Sequence, residues 1–229
     1  MQVPDLSSGY AVQSALTARR MSRGASIVGW KLGYTTQAMR DQLGIAEPNF
    51  GPLLSTMMLD GASTVPETVI QPRAEPEIAL VLGHDVSSPL DPEAALDACA
   101  EALAALEVVD SVWTDYRFDL EHNTADGSSA AFVAIGPPLP LDVLPEIGVS
   151  LHRNGALVGA GTGAATLGHP ARALAWLTEQ LSARGGSLRA GDIVITGGLV
   201  AAVPIERGDV VHAEFDHPSV STRRVSVRR

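Results

Sequence analysis

The sequence predicts an α+β fold dominated by β-structure, on three observations. Short apolar segments with strand character recur along the chain, from residues 27–33 to residues 208–211. Asn154-Gly155 stands between two alternating segments, 149–152 and 157–158, which is the strongest short-range hairpin signal. Only two or three stretches carry helical spacing and caps. A chain of 229 residues that is 45% hydrophobic can bury one sizeable core, so a single domain over 1–229 is expected.

Tyr10, Val12, Ala15 and Leu16 have roughly helical spacing, which predicts a short helix over 10–21 within an N-terminal segment 1–25, ending at Gly24. Residues 27–33 read as a strand that carries one lysine in apolar company. Lys31, between Trp30 and Leu32, is either an edge residue reaching solvent or a desolvated amine fit for proton transfer near neutrality. Taken alone the edge reading is the commoner case. A short helical piece is expected at 36–43. The prolines and glycine of 47–54, around Asn49, Phe50 and Gly51, are expected to hold a loop out of regular sheet, as a pocket wall or a structural crossover.

In residues 73–82 an acidic pair runs into an apolar strand. Side chains alternate along a strand, so Glu75, Glu77, Ala79 and Val81 share one face, and the two carboxylates stand side by side. Like charges at that spacing repel unless a cation or several donors lie between them. Such hard oxygen ligands suit Mg²⁺ or Mn²⁺; the bland alternative is a solvated strand end.

The clearest helical pattern covers 91–106, with Asp91 as N-cap, Pro92 at the first position, and Ala, Leu and Cys99 inside, which puts Cys99 at a buried helical position. A short strand at 106–111 follows. It embeds Glu107 among Leu106, Val108 and Val109, where a carboxylate normally has a partner, so Glu107 is a candidate third oxygen ligand. Residues 124–131 form a small-residue turn before a strand at 132–135, and such a turn offers N–H groups and hydroxyls at close range. The glycines of 159–163 follow a hairpin strand and open no helix, so they are no dinucleotide loop. His169, as cap or turn residue, and Pro170 start a second helix that Gly185-Gly186 stops. Gly191-Asp192 and Gly208-Asp209 each lead a turn into a strand.

The 26 acidic against 16 basic residues, formal net charge -10, argue against a nucleic-acid surface. A lone cysteine excludes an internal disulfide and fits a reducing compartment. No apolar run approaches the roughly 20 residues of a membrane helix, and the N-terminus lacks signal-peptide order, so a cytoplasmic protein is expected.

Several segments, in this order and spacing, carry a family resemblance: Gly29-Trp30-Lys31-Leu32-Gly33-Tyr34-Thr35, Pro48-Asn49-Phe50-Gly51, Gln71-Pro72, Glu75-Pro76-Glu77-Ile78-Ala79, Leu106-Glu107-Val108-Val109-Asp110-Ser111, Ala125-Asp126 with Ser129, Gly168-His169-Pro170, and the run from Gly191 to Gly197. The chain resembles the 2-keto-4-pentenoate hydratase / 4-oxalocrotonate decarboxylase family of the fumarylacetoacetate hydrolase superfamily. The resemblance implies a catalytic domain built as a mixed β-roll. It implies Mg²⁺ or Mn²⁺ on Glu75, Glu77 and Glu107, and Lys31 for proton transfer. Asn49, Phe50, Gly51, Ser129, Thr196 and Gly197 are the substrate-site residues it implies. The expected substrate is a 2-hydroxy-2,4-dienoate or its 2-oxo form, hydrated to a 4-hydroxy-2-oxo acid. The alternatives are decarboxylation of a 2-oxo-hex-3-enedioate, with Arg40, Arg73 or Arg117 meeting the second carboxylate, acylpyruvate C–C hydrolysis, or a weakly active partner subunit. Homo-oligomers, and association with a homologous hydratase or decarboxylase, are further expectations. Two departures stand out: Asn49 replaces the Asp of many hydratases, and Gly127-Ser128-Ser129 replaces Asn-Ala-Ser. Relative to family members the chain is expected to be short at its N-terminus.

Overall fold

The computed structural model describes residues 2–37, 40–41, 44–59 and 64–229, so residues 38–39 and 42–43 of the helical piece expected at 36–43 lie outside the described residues. In chain order the elements are α1 (Leu6–Met21), β1 (Ile27–Gly33), β2 (Asn49–Leu54), β3 (Met58–Leu59), β4 (Arg73–Leu82), α2 (Pro92–Asp97), β5 (Cys99–Val109), α3 (Leu120–Ala125), β6 (Ala130–Leu139), β7 (Gly148–Arg153) and β8 (Ala156–Thr162). They continue with α4 (Pro170–Ser182), β9 (Ile193–Ile195), β10 (Val203–Pro204), β11 (Val210–His217) and β12 (Val220–Arg228). One mixed sheet runs β2-β1-β9-β4-β5-β6-β3, with β10 paired to the start of β4; a second, antiparallel sheet runs β12-β11-β7-β8. The β1/β9 and β3/β6 pairs are parallel. The architecture is α+β and dominated by strands, as the sequence predicts.

The centre of the large sheet is the long antiparallel pair β4/β5. Alternation divides its side chains between two interiors. Ile78, Leu80, Ala102, Ala104, Leu106 and Val108 enter the main core with Leu174 of α4 and Phe215 of β11. Ala79 and Ala105 face the other way, into a small cluster with Leu53, Val133 and Ile195. Glu75, Glu77 and Glu107 share this second face by the same period of two. The two sheets meet where β12 crosses β5 and β6: a Cβ on Gly136 would lie 2.9 Å from Val225 Cβ and 3.2 Å from Ala104 Cβ, so only glycine permits the approach.

Three expectations are corrected. The helix expected over 91–106 is only Pro92–Asp97, capped by the Asp91 carboxylate on Ala94 N; from Cys99 onward the chain is strand. Cys99 accordingly begins β5, half-buried, and sits in no helix. The run of Ala and Leu has no period that separates a buried helix from a strand covered on both faces, and the neighbours β4 and β6 decide it. The segment expected to stay out of sheet forms β2, with all six residues buried and antiparallel to β1. Its Pro52, opposite Trp30, is tolerated because β2 is the sheet edge. Lys31 is no edge residue: β1 lies between β2 and β9, and Lys31 is 3% exposed.

Other expectations hold with shifted ends. The first helix starts at Leu6, where Asp5 accepts from Ser8 N, and closes before Gly24 at φ 97°. His169 caps α4 by accepting from Ala171 N, and Gly185 ends the turn after it at φ 73°. The hairpin turns at Asn154-Gly155 between β7 and β8.

Candidate active site

The register of β4 on β5 sets Glu75 directly opposite Glu107, and Glu77 follows two residues along the same face. One carboxylate oxygen from each of the three lies within 4.8 Å of the other two. Glu77 and Glu107 are fully buried, while Glu75 keeps a little exposure. Glu77 Oε2 accepts from Gly197 N at 2.7 Å, but Glu77 Oε1 and both Glu107 oxygens have no hydrogen-bond donor among the described residues. Lys31 Nζ stands 3.1 Å from Glu107 Oε2, close enough for an ion pair yet off the line of a hydrogen bond. Its bonds go instead to Ser128, to the carbonyl at 2.9 Å and towards Oγ at 3.4 Å.

Burial and mutual repulsion dominate the electrostatics. Burial, then Glu107, push the Glu75 carboxyl up to about 7 against the pull of Lys31 and Arg73. Glu77 is raised well above the usual carboxylate range by burial and by Glu107, and Glu107 is raised by burial. For Lys31, burial is the largest single influence and acts downward, but the lowered pKa expected from sequence is not what results. The three carboxylates together outweigh it, and the ammonium is held above its ordinary range. One ammonium cannot balance three buried carboxylates, and an uncompensated buried charge costs several kcal/mol. Three hard oxygen donors with undonated lone pairs on a sheet face fit a divalent cation.

The lysine is held by a buried polar layer. Ser128 Oγ donates to Asn49 Oδ1, and Asn49 Nδ2 donates to Asn123 Oδ1 and Thr124 Oγ1, all at 2.9 Å. Asn123 Nδ2 then donates to Ser129 Oγ at 2.9 Å. Gly127, Ser128 and Ser129 take three successive left-handed conformations, φ 69°, 58° and 56°, a costly run for residues with a Cβ and one over-determined by these bonds. Gly51 permits the turn to approach β2, since a Cβ there would meet Gly127 O at 2.2 Å.

A cavity of about 800 Å³ opens above this cluster. Lys31, Glu75 and Ser129 border it, with Gly33, Tyr34 and Arg73. The other residues expected at the substrate lie behind that wall. Asn49 is wholly buried in the layer described. Phe50 stacks on Tyr10 at 4.6 Å and meets Trp30 edge-on. Thr196 bonds Ile78 O, and Gly197 supplies the N–H to Glu77 in a φ of 106° where a Cβ would strike Thr35. Of the three arginines considered for a second carboxylate, Arg73 alone borders the cavity, its guanidinium 4.1 Å above the Tyr116 ring. Arg40 is tied to Tyr34 O and Thr35 O, and the Arg117 side chain is 85% exposed.

Sequence reasoning missed Ser128, Asn123 and Tyr116. Ser128 was visible only as a polar residue in the small-residue turn and Asn123 just before it, and nothing local links them to Lys31. Tyr116 hangs over the cavity because Gln71 pins its loop: Gln71 Nε2 donates to Ser111 O and Trp113 O, Gln71 Oε1 accepts from Asp115 N, and Tyr116 Oη donates to Val109 O. Asp110 completes the clamp by accepting from Ile70 N and Gln71 N.

Comparison with known proteins gives the same reading of the chain. Residues 26–226 match the family model described as fumarylacetoacetate (FAA) hydrolase C-terminal. The chain is 38% identical over 222 residues to a 2-keto-4-pentenoate hydratase of Paraburkholderia xenovorans (strain LB400), covering 93% of this chain and 82% of the relative. It is 34% identical over 208 residues to a 2-hydroxyhexa-2,4-dienoate hydratase of Comamonas testosteroni, covering 87% and 78%. Among solved structures, 4-oxalocrotonate decarboxylase from Pseudomonas putida G7, complexed with magnesium and adipate, superposes with a TM-score of 0.91 at 31% identity, covering 98% of this chain and 86% of that one. The chain belongs to the fumarylacetoacetate hydrolase superfamily, in the family of 2-keto-4-pentenoate hydratases and 4-oxalocrotonate decarboxylases.

Proposed function

We propose that this protein is a metal-dependent hydro-lyase that adds water to a 2-hydroxy-2,4-dienoate to give a 4-hydroxy-2-oxo acid, a step suited to the catabolism of aromatic compounds. The observation that carries the reading is the cluster of Glu75, Glu77 and Glu107 beside buried Lys31 at the floor of a cavity, in a chain of this family. Glu75, Glu77 and Glu107 would hold the cation, Mg²⁺ or Mn²⁺ by the hardness of the donors. When bound, it would supply Lewis acidity to the 2-oxo acid.

The rest of the chemistry falls to the chain. Ketonisation of the dienol places a proton at C5; water then adds its oxygen at C4 and a proton at C3. Lys31 Nζ carries the proton, fixed in place by the Ser128 carbonyl on one side and Glu107 on the other. Asn49, wholly buried and bonded on both sides of its amide, acts as a brace for Ser128, so its amide in place of a carboxylate leaves the proton-transfer assignment on Lys31. A single catalytic domain, working in the cytoplasm as a homo-oligomer, completes the proposal; among the described residues no helix is long and apolar enough to cross a membrane.

A second reading, decarboxylation of a 2-oxo-hex-3-enedioate, draws on the Arg73 guanidinium at the cavity wall and on the family's decarboxylase member. The two are separated by offering the Mg²⁺-loaded protein each substrate while following ultraviolet absorbance and CO₂. Loss of the dienoate without CO₂ supports the hydratase. CO₂ from the diacid supports the decarboxylase, and silence on both turns attention to acylpyruvates and to a partner-dependent subunit.

A further inference from the structure

The charges that border the cavity differ in exposure. Lys31, Glu75 and Arg73 border the cavity together, and Arg73, two residues before Glu75 on β4, lies on the same strand face as the glutamates. With a divalent cation among them, the positive charges exceed the three carboxylates by one. That balance matches a ligand with a single carboxylate. The more exposed part of the wall carries Glu47, Asp115 and Asp119, with half-buried Glu121. These acids are weakly compensated. Arg117 is 3.9 Å from Asp115 with both side chains largely in solvent, and among the described residues Asp119 is met by His122, at N and at Nδ1. The gaps between the acids are apolar, filled by Leu6, Ile45, Phe118 and Leu120.

Asp119 and Glu121 owe their place to α3. Asp119 is the N-cap, accepting from His122 N at 2.9 Å, and Glu121 sits in the first turn, where a carboxylate is favoured. Both residues border the cavity. Buried oxygens on Glu77 and Glu107 that have no donor among the described residues stand beside Glu75 and Lys31, which border the cavity, and mark a ligand site there.

We propose that Asp119 and Glu121, supported by Glu47 and Asp115, are specificity-determining residues: the outer wall repels a second carboxylate and admits 2-oxo acids whose distal end is neutral and apolar. This rests on the cavity floor as the 2-oxo acid site, and it deepens the hydratase reading by giving a physical reason for rejecting the decarboxylase's diacid. Like-charge juxtaposition is a recognised way to exclude a competitor. It also predicts that the discrimination weakens as salt screens the wall.

The test uses unreactive saturated acids of one length, so it does not depend on turnover. Binding of 2-oxohexanoate and 2-oxoadipate to the Mg²⁺-loaded protein is measured by calorimetry, for the wild type and for the double variant Asp119→Asn, Glu121→Gln. Asparagine keeps the helix cap. The expected result is a preference of about tenfold or more for 2-oxohexanoate. The double variant is expected to narrow it several-fold, chiefly through tighter binding of 2-oxoadipate. Equal or tighter binding of 2-oxoadipate by the wild type overturns the proposal, and so does a ratio that the double variant leaves unmoved. Failure of both acids to bind removes the floor assignment and the wall with it. A preserved preference in a protein that turns over no dienoate overturns the hydratase reading alone.

Discussion

Lys31 shows how one side chain's role depends on partners far away in sequence. Its ammonium is surrounded by Glu107 of β5, the Ser128 carbonyl of a left-handed turn and the other two glutamates of β4. Lys31→Ala is expected to retain metal binding and to lose turnover by at least about a hundredfold, the usual contribution of a positioned acid–base group. Metal titration and steady-state kinetics on the same sample check both halves. Glu107→Gln is expected to weaken metal affinity by about tenfold or more, since one of the three charged donors becomes neutral; unchanged affinity by calorimetry removes Glu107 from the ligand set. At Asn49 the expected effect is on the scaffold. Asn49→Ala strands Ser128, Asn123 and Thr124 in a buried layer and should cost roughly 2–4 kcal/mol of stability, measured by denaturant unfolding.

At the scale of elements, the acid-bearing face was legible because strand alternation is local. Glu75 and Glu77 share a face in any strand, and a carboxylate inside Leu106-Glu107-Val108 asks for a partner whatever the fold. The caps Asp91 and His169 and the Asn154-Gly155 turn were legible for the same reason. What escaped sequence reasoning depends on pairing. The burial of Lys31 follows from the parallel docking of β9 from far along the chain, and the start of β5 at Cys99 follows from cover on both sides by β4 and β6. The pairing of β2, despite Pro52, required knowing that it lies at an edge. The resemblance supplied substrate residues whose side chains lie one layer deeper than the cavity wall, because Phe50, Gly51 and Thr196 shape the elements that carry the wall. Gly51→Ala tests that support. A Cβ 2.2 Å from Gly127 O must displace the turn that anchors Lys31, so kcat is expected to fall on the order of a hundredfold while metal affinity holds. Kinetics and metal titration of the variant provide the check.

For the whole molecule, the buried acid cluster makes stability depend on pH and on metal together. The Glu75 pKa is raised from 4.5 to about 7, and Glu77 and Glu107 are raised with it. Asp126, raised to about 6 chiefly by burial, acts in the same direction. Groups whose pKa is raised on folding leave the native state holding more protons than the unfolded chain. Their contribution is therefore fully present below the unfolded pKa and is lost as pH rises through the folded one. Chelator-treated protein should lose stability between about pH 4.5 and 7, the window set by the rise of the Glu75 carboxyl to about 7. Added Mg²⁺ should restore stability most strongly at the upper end of that range, where it no longer competes with protons. Thermal unfolding across pH, with and without Mg²⁺, measures both effects; a flat chelated profile would mean that the acids are compensated by the protein itself.

The most direct test of the central claim is the initial rate of 2-hydroxy-2,4-dienoate consumption by one preparation, followed by absorbance after chelation and again after Mg²⁺ or Mn²⁺ is returned. The account predicts loss of activity on chelation, recovery with either cation, and a 4-hydroxy-2-oxo acid as product without CO₂. Turnover that is indifferent to chelation, or a dienoate left unchanged by the fully loaded protein, would contradict it.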